Sequence, residues 1–172
     1  MKNTNVVLAG LGGQGVLTAA DILAEAAFLA GLDVKQSEIH GMSQRGGSVI
    51  SEVRFGRKVF SPMVPSGQAD FLVVLEASQM DINRPVLRKN GLLIMPAHIA
   101  PKILLHHRSL NIALLGALSR HLPEIAETAW IQALRAHLKP RNQEVNLQVF
   151  ALARKTEDAE LKLAIPAGAG EG

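Results

Sequence analysis

A glycine-rich turn near the N-terminus has the residue types and spacing of a phosphate-binding loop. Gly10, Gly12 and Gly15 follow the apolar run VVLA, and a helical pattern begins directly after them. In such a junction the first glycine allows the tight turn, the second lets the backbone approach a phosphate, and the third lets helix and strand pack closely. The N–H groups at the helix start favour an anion. Gly13 and Gln14 add backbone freedom and an amide, so this first loop (Gly10–Gly15) is a candidate cofactor-binding segment.

Three interpretations of the first loop remain open on the motif alone. The glycines could bind an anion or cofactor, could bind NAD(P), or could only pack a helix against a sheet. The NAD(P) interpretation requires an acidic residue about 20 positions further on, and Glu38 lies near that place. The segment around it, EIHGMSQRGG, is a second glycine-rich loop (Glu38–Gly47) in which Arg45 could bind an anion. Two such loops at the carboxyl edge of adjacent strands would face one crevice.

Composition excludes several other kinds of chemistry. The 172 residues include no cysteine, so the chain has no thiolate for an iron–sulfur cluster or a structural zinc. The net charge is only +3, and aromatic residues make up 3% of the chain with no tyrosine, which does not favour a single-strand binder with aromatic stacking platforms. His98, His106 and His107 fit no metal-ligand spacing. No apolar run approaches the roughly 20 residues that span a membrane. We expect a cytoplasmic protein without metal, nucleic-acid or membrane partners.

The elements that must position the two loops alternate in type. Strands are predicted at 5–9, 34–37, 48–55, 58–61, 71–75 and 92–95, and helices at 16–30, 78–89, 109–121, from 123 onward and at 141–161. The first strand, helix and second strand predict a βαβ unit with parallel strands, and 48–55 with 58–61 predicts a β-hairpin. We therefore predict an α/β fold: a Rossmann-like three-layer domain with a mostly parallel sheet, a β-hairpin and C-terminal helices. It forms one domain over 1–163, with a flexible tail at 164–172.

The two loops together resemble a known family. GLGGQG at 10–15, followed by SEIHGMSQRGGSV at 37–49, is similar to the gamma-type subunit or domain of 2-oxoacid:ferredoxin oxidoreductases. The nearest branch is the beta subunit of indolepyruvate:ferredoxin oxidoreductase. The resemblance continues through VFSPMVPSGQADFLVVLE, NIALLGALS and EVNLQVFALA, and it covers most of residues 4–152. GLGGQG alone is moderately specific, whereas its combination with the second loop is highly specific.

The resemblance implies an accessory subunit of a multi-subunit enzyme. Such enzymes decarboxylate a 2-oxoacid on thiamine diphosphate, pass electrons through iron–sulfur clusters to ferredoxin, and transfer the acyl group to coenzyme A. It implies that thiamine diphosphate, Mg and [4Fe-4S] clusters lie on a larger catalytic partner subunit, that ferredoxin is met only indirectly, and that coenzyme A could contact this chain. The branch implies indolepyruvate or another aryl pyruvate as substrate. The isolated chain is expected to be inactive and could form a homodimer.

The resemblance also carries over residue by residue. In the first loop the matching residues are Gly10, Gly12, Gly13, Gln14 and Gly15, and in the second they are Glu38, His40, Gly41, Gln44, Arg45, Gly46, Gly47 and Ser48. Arg45 with the amides of Gly46 and Gly47, beside Ser48, could hold a carboxylate or phosphate. The alternative for Arg45 is a salt bridge with Glu38 or Glu52. His40 could relay protons in a shared site, or could make only a structural hydrogen bond.

One segment departs from the family pattern. After the strand at 92–95, family members usually carry another strand and helix, whereas here PAHIAPKILLHHRSL at 96–110 is short. A strand could therefore be missing from the sheet edge. Two other functions remain as alternatives: a free-standing NAD(P)-binding oxidoreductase, and a regulatory module that binds coenzyme A or a nucleotide.

Overall fold

A computed structural model describes residues 2–42, 46–104 and 107–156, which form a five-stranded mixed sheet with helices. The strands are β1 (Thr4–Leu11), β2 (Asp33–His40), β3 (Ser48–Gly56), β4 (Ala69–Val74) and β5 (Leu87–Ile94). The α-helices are α1 (Val16–Leu29), α2 (Met80–Asn83), α3 (Leu110–Ser119), α4 (Glu127–His137) and α5 (Pro140–Lys155). Short 3-10 turns lie at Ala77–Gln79, Arg84–Val86, Pro96–His98, Pro101–Ile103 and His107–Ser109. The predicted α/β class with C-terminal helices is confirmed.

The sheet is mixed, which corrects the prediction of a mostly parallel sheet. The strand order is β2-β3-β1-β4-β5. β4 is parallel to β1 and to β5, whereas β3 is antiparallel to both β1 and β2. Only residues 41–47 separate β2 from β3. A parallel connection needs about a dozen residues or more, so the chain must fold back here.

The predicted β-hairpin between 48–55 and 58–61 is also wrong. β3 forms its hairpin with β2, and Lys58–Ser61 is not a strand. β3 pairs along its whole length with β1 on one side and β2 on the other, so no edge remains for a return strand. The first three residues of the second loop belong to β2, which ends at His40. β1 and β2 run in the same direction, as predicted, but β3 lies between them.

The predicted helix over 78–89 does not form. Four helical residues at α2 are flanked by 3-10 turns, and β5 begins at Leu87. Pro85 explains this interruption because proline lacks the N–H that continues a helix and restricts the residue before it. The chain therefore leaves the helix early, and β5 is longer than the strand predicted at 92–95.

The four longer described helices cover one face of the sheet. Their apolar residues share one core with alternate strand residues such as Val6, Leu8 and Phe55. Nearly all of α3 is buried because it packs between the sheet and α5. Trp130 of α4 lies fully buried against Phe150, with 5.6 Å between ring centroids. Within the described ranges no helix is long and apolar enough to cross a membrane.

The opposite face of the sheet carries much less structure, so the predicted third layer is thin. Its smaller core joins Val7, Leu72 and Leu93 to Met80 of α2 and to Val64 of the connector, the segment 57–68 between β3 and β4. The connector is held by Glu52, which accepts the Val64 N–H at 3.1 Å. The predicted tail at 164–172 and the end of the predicted last helix lie outside the described residues.

Candidate functional site

The first loop leaves β1 at the carboxyl edge of the sheet and enters α1 without a side-chain cap. Gly13 and Gly15 have φ values of 88° and 83°, a left-handed region that favours glycine. Gly10 is required for a different reason, because a Cβ there would lie 2.8 Å from Val16 Cγ2 and 2.9 Å from Gln14 Oε1. Of the motif glycines, Gly15 thus meets a conformational need and Gly10 a packing need, and the additional Gly13 provides a second left-handed position.

Gln14 holds the turn closed from its inner side. Its Oε1 accepts the Leu11 N–H at 2.8 Å, and its Nε2 donates to Glu76 Oε2 at 3.0 Å. Its own N–H donates to the Leu11 carbonyl at 3.2 Å. Both polar atoms of this predicted cofactor-binding side chain therefore have protein partners. Glu76 was not predicted, although it directly follows a buried parallel strand, where site residues of α/β sheets often lie.

Asn111 holds the turn from the side of α3. Its Nδ2 donates to the Gly15 carbonyl at 3.2 Å, while its Oδ1 accepts the Ile112 N–H at 3.0 Å. A Cβ on Gly15 would lie only 2.5 Å from Asn111 Nδ2. The buried carboxamide thus fills the space that a side chain at Gly15 would need. No sequence pattern links these two residues, since they lie 96 positions apart.

The second loop meets the first at the same edge of the sheet. The Gly12 N–H donates to the Gly47 carbonyl at 2.9 Å. This contact follows from the antiparallel register, which pairs Gly10 with Val49 and Leu11 with Ser48. The Ser48 hydroxyl in turn donates to Gln79 Oε1 at 2.7 Å. The two loops therefore share one crevice, through the β2–β3 hairpin rather than through adjacent parallel strands.

His40 and Glu38 are exposed at the end of β2. His40 Nε2 lies 3.5 Å from Glu38 Oε2, and both side chains are largely open to solvent. Glu52 points to the other face of the sheet and accepts the Ser37 hydroxyl at 3.0 Å. Gln44 and Arg45 lie outside the described residues, so both interpretations of Arg45 remain predictions. His40 is described, but the proton relay suggested for it also remains a prediction.

The described residues line two clefts, one on each side of the turn. The first has a volume of about 490 Å³ and is lined by Gly13, Gln14, Gly15, Arg108, Leu110 and Asn111. The second has a volume of about 390 Å³ and includes Gly12, Gly13, Leu17, Thr18, His40 and Val49 among its lining residues. The exposed Arg108 brings a cation to the first cleft. This residue was missed because nothing in the sequence connects it with the first loop.

The backbone of the turn offers hydrogen-bond donors to these clefts. The N–H groups of Leu11, Gly12 and Gln14 are already bonded within the protein. The N–H groups of Gly13 and Gly15 make no hydrogen bond with any described residue, and the first turn of α1 adds the unpaired donors of a helix start. With Arg108 opposite, this arrangement suits an anion. The described residues include no group of three or more His, Cys, Asp or Glu that could hold a metal ion.

Fold, motifs and sequence comparison agree on the class of protein. Over residues 5–156 the chain matches the family described as pyruvate ferredoxin/flavodoxin oxidoreductase, and it belongs to that family. It is similar to indolepyruvate oxidoreductase subunit IorB of Thermococcus kodakarensis, at 47% identity over 103 residues. That alignment covers 60% of this chain and 51% of the relative. The chain thus spans about half the length of the curated relatives it matches.

Solved structures share the fold. The gamma subunit of a keto/oxoacid ferredoxin oxidoreductase from Geobacter sulfurreducens PCA superimposes with a TM-score of 0.74 at 24% identity, covering 87% of this chain and 95% of that subunit. A 2-oxoglutarate:ferredoxin oxidoreductase from Magnetococcus marinus, solved with 2-oxoglutarate, coenzyme A and succinyl-CoA, gives 0.74 at 21% identity. It covers 90% of this chain but 31% of that chain. The same fold thus occurs both as a separate subunit and as part of a longer chain.

Proposed function

We propose that this chain is the gamma-type subunit of a thiamine-diphosphate-dependent 2-oxoacid:ferredoxin oxidoreductase. The complex would oxidatively decarboxylate indolepyruvate or another aryl pyruvate to an acyl-CoA, with ferredoxin as electron acceptor. As membership of the family implies, thiamine diphosphate, Mg and [4Fe-4S] clusters would lie on a larger partner subunit, and the absence of cysteine from this chain agrees with that arrangement. The isolated chain would be inactive.

One observation carries this proposal: the two glycine-rich loops meet through the bond between Gly12 and Gly47. Each loop alone would also suit a purely structural role, but their contact at the carboxyl edge builds one surface from both family-specific segments. Membership of the oxidoreductase family supports the reaction class. Similarity to the indolepyruvate subunit supports the aryl pyruvate branch.

Within the complex, the first loop would hold an anionic group. Gly13 and Gly15, whose N–H groups bond to no described residue, and Arg108 line the larger of the two clefts. Arg45, Gly46, Gly47 and Ser48 are proposed to add further donors from the second loop. The anion would be a phosphate of coenzyme A or the carboxylate of the 2-oxoacid, and steady-state kinetics can distinguish these two ligands.

The strand order does not favour the NAD(P) alternative. That function would require Glu38 to reach a ribose bound beside the first loop. β3 lies between β1 and β2, so the two strands are about 10 Å apart rather than about 5 Å. Glu38 therefore lies one strand further away than in a dinucleotide-binding βαβ unit.

Co-purification from the native host tests the proposed function. We expect a larger partner that carries thiamine diphosphate and iron–sulfur clusters, together with viologen reduction that depends on an aryl pyruvate and coenzyme A. The chain expressed alone should show no activity. A homo-oligomer that binds NAD(H) saturably would contradict the proposal, as would a stable chain without any larger partner.

Arginine variants test the role of the loops within the complex. Replacing Arg45 or Arg108 by alanine should lower kcat/KM about tenfold, because a charge-assisted hydrogen bond to the anion is lost. A rise in KM for coenzyme A alone would identify a phosphate, and a rise for the 2-oxoacid alone would identify its carboxylate. Arg141→Ala on the exposed start of α5 is the matched control. Unchanged turnover and assembly in both test variants would overturn the anion-binding role.

A further inference from the structure

The carboxamide of Gln14 has a defined orientation between two neighbours of opposite hydrogen-bonding character. The Leu11 N–H can only donate, so it must meet the Gln14 oxygen, at 2.8 Å. An ionised Glu76 can only accept, so it must meet the Gln14 nitrogen, at 3.0 Å. The two bonds are mutually consistent in one orientation of the amide only. Glu76 therefore reinforces the orientation of the Gln14 amide in which its oxygen accepts the Leu11 N–H.

Glu76 is well placed for this role. It follows the end of β4 in an extended conformation, and β4 is the parallel neighbour of β1. The Leu75 N–H donates to the Ala9 carbonyl at 2.8 Å and ties the two strand ends together. The half-buried Glu76 is in none of the described ion pairs, so its described side-chain partner is the Gln14 amide.

Some backbone N–H groups of the first loop have a described acceptor, and others do not. Gln14 engages the Leu11 N–H, and Gly47 engages the Gly12 N–H. These bonds leave the N–H groups of Gly13 and Gly15 without a described partner. A rotation of the Gln14 amide would place its nitrogen against the Leu11 N–H, so that the turn would lose the bond that closes it.

We propose that Glu76 is a positioning residue of the candidate site: through Gln14 it holds the first loop in the conformation in which Gly13 and Gly15 line the clefts. In this arrangement Gln14 is part of the support and does not contact the ligand. The consequence for catalysis rests on the proposed function of the complex. The effect on the loop itself does not depend on that function.

An exchange of the two side chains tests the proposal. Gln14→Glu places two carboxylates about 3 Å apart and should lower kcat/KM of the complex about tenfold, since like charges at that distance cannot both remain ionised without cost. The double variant Gln14→Glu/Glu76→Gln restores a matched pair. Its carboxylate at position 14 would accept from the Leu11 N–H and from the new amide at position 76. The double variant should therefore recover to within about threefold of the wild type.

The exchange also separates a supporting role from direct ligand contact. If Gln14 touched an anionic ligand, a glutamate there would repel that ligand whatever stood at position 76. A double variant as impaired as Gln14→Glu alone would therefore overturn the proposal. The matched control is Gln148→Glu on α5, where Gln148 Nε2 lies 3.3 Å from Glu144 Oε1 in an exposed pair. This control should leave turnover unchanged.

Hydrogen exchange distinguishes failure of this proposal from failure of the proposed function. Amides of the first loop should exchange about tenfold faster in Gln14→Glu and return to the wild-type rate in the double variant, because the bond to Leu11 is lost and then restored. This measurement needs neither substrate nor activity. Wild-type complex without 2-oxoacid oxidation would contradict the proposed function alone. Equal exchange in all three proteins would contradict the role of Glu76.

Discussion

The two glycine-rich loops lie side by side but are held in different ways. Side chains from two other elements support the first loop, Gln14 being bonded to Glu76 and Gly15 to Asn111. Backbone bonds hold the described part of the second loop, from Gly41 to Ser48 and from Gly12 to Gly47. Although both loops are rich in glycine, we therefore expect substitutions in them to cost different amounts of stability. The first loop should resist substitution strongly, and the second should accept it at lower cost.

The largest effect is expected for Gly15→Ala. The new Cβ would lie 2.5 Å from Asn111 Nδ2, and φ is 83°. Steric overlap and left-handed strain together should lower the free energy of unfolding by about 3 kcal/mol or more. Urea unfolding measures this loss. Gly13→Ala is the matched control, because its φ is 88° but its Cβ would meet nothing within 4 Å; it should lose only about 1–2 kcal/mol.

Asn111→Ala should have the next largest effect. It removes a buried carboxamide and so takes the described acceptor from the Ile112 N–H, while the Gly15 carbonyl keeps the Ala19 N–H as its donor; the cost is about 2 kcal/mol in the free energy of unfolding. The double variant Gly15→Ala/Asn111→Ala should lose less than the sum of the two single losses, since the overlap disappears with the carboxamide. Strict additivity in urea unfolding would show that Asn111 does not determine the intolerance of Gly15.

In the second loop, Gly46→Ala should cost about 1 kcal/mol. Its φ is 65°, but no described residue lies within 4 Å of the added Cβ. The loss therefore comes from backbone strain alone. Thermal or urea unfolding of Gly46→Ala and Gly15→Ala, measured side by side, compares the stability losses in the two loops directly. A loss as large as that of Gly15→Ala would remove the difference between them.

The smallest effect concerns the end of β2 that lies opposite the second loop. The hydrogen bond from the Val59 N–H to the carboxylate lowers the pKa of Asp33 below its ordinary value, and Lys35 and Lys58 act in the same direction. A lowered pKa stabilises the folded chain above the unfolded pKa, and this contribution is lost as pH falls through the folded pKa.

Asp33→Asn provides the measurement for this effect. The variant keeps an acceptor for Val59 but has no charge to titrate. Its stability relative to the wild type should therefore rise as pH falls below about 4. A constant difference between the two proteins across that range would contradict the role of the carboxylate. Neither glycine loop should change in this experiment.

Local patterns allowed much of this fold to be predicted. β1, the first loop and α1 were predicted within two residues, because apolar runs and glycine spacing act locally. Ser48–Phe55 was correctly predicted as a strand, but its neighbours were not. Alternation shows which face of a strand is buried and not which strand lies beside it. Only the short connection at 41–47 indicated the antiparallel return.

The supporting residues of the site were harder to predict than its glycines. Arg108 and Asn111 lie beside the first loop because of the tertiary packing of α3. The hydrophobic periodicity of the sequence does not indicate such a contact. The sequence did indicate Glu76, because this residue comes directly after the buried strand FLVVL, where site residues often lie. That position became informative once β4 was known to be the parallel neighbour of β1. Ligand binding by the loop residues remains a prediction, as does the role of Arg45.

Trp130 gives this chain an unusually simple optical signal. The sequence has one tryptophan and no tyrosine, so nearly all of its near-ultraviolet absorption and its indole fluorescence arise from one side chain. That indole is fully buried beside Phe150 and lines neither cleft at the glycine turn. Its emission therefore reports the loss of the helical layer. Any change seen when a tryptophan-free ligand is added would come from a rearrangement that extends beyond the site.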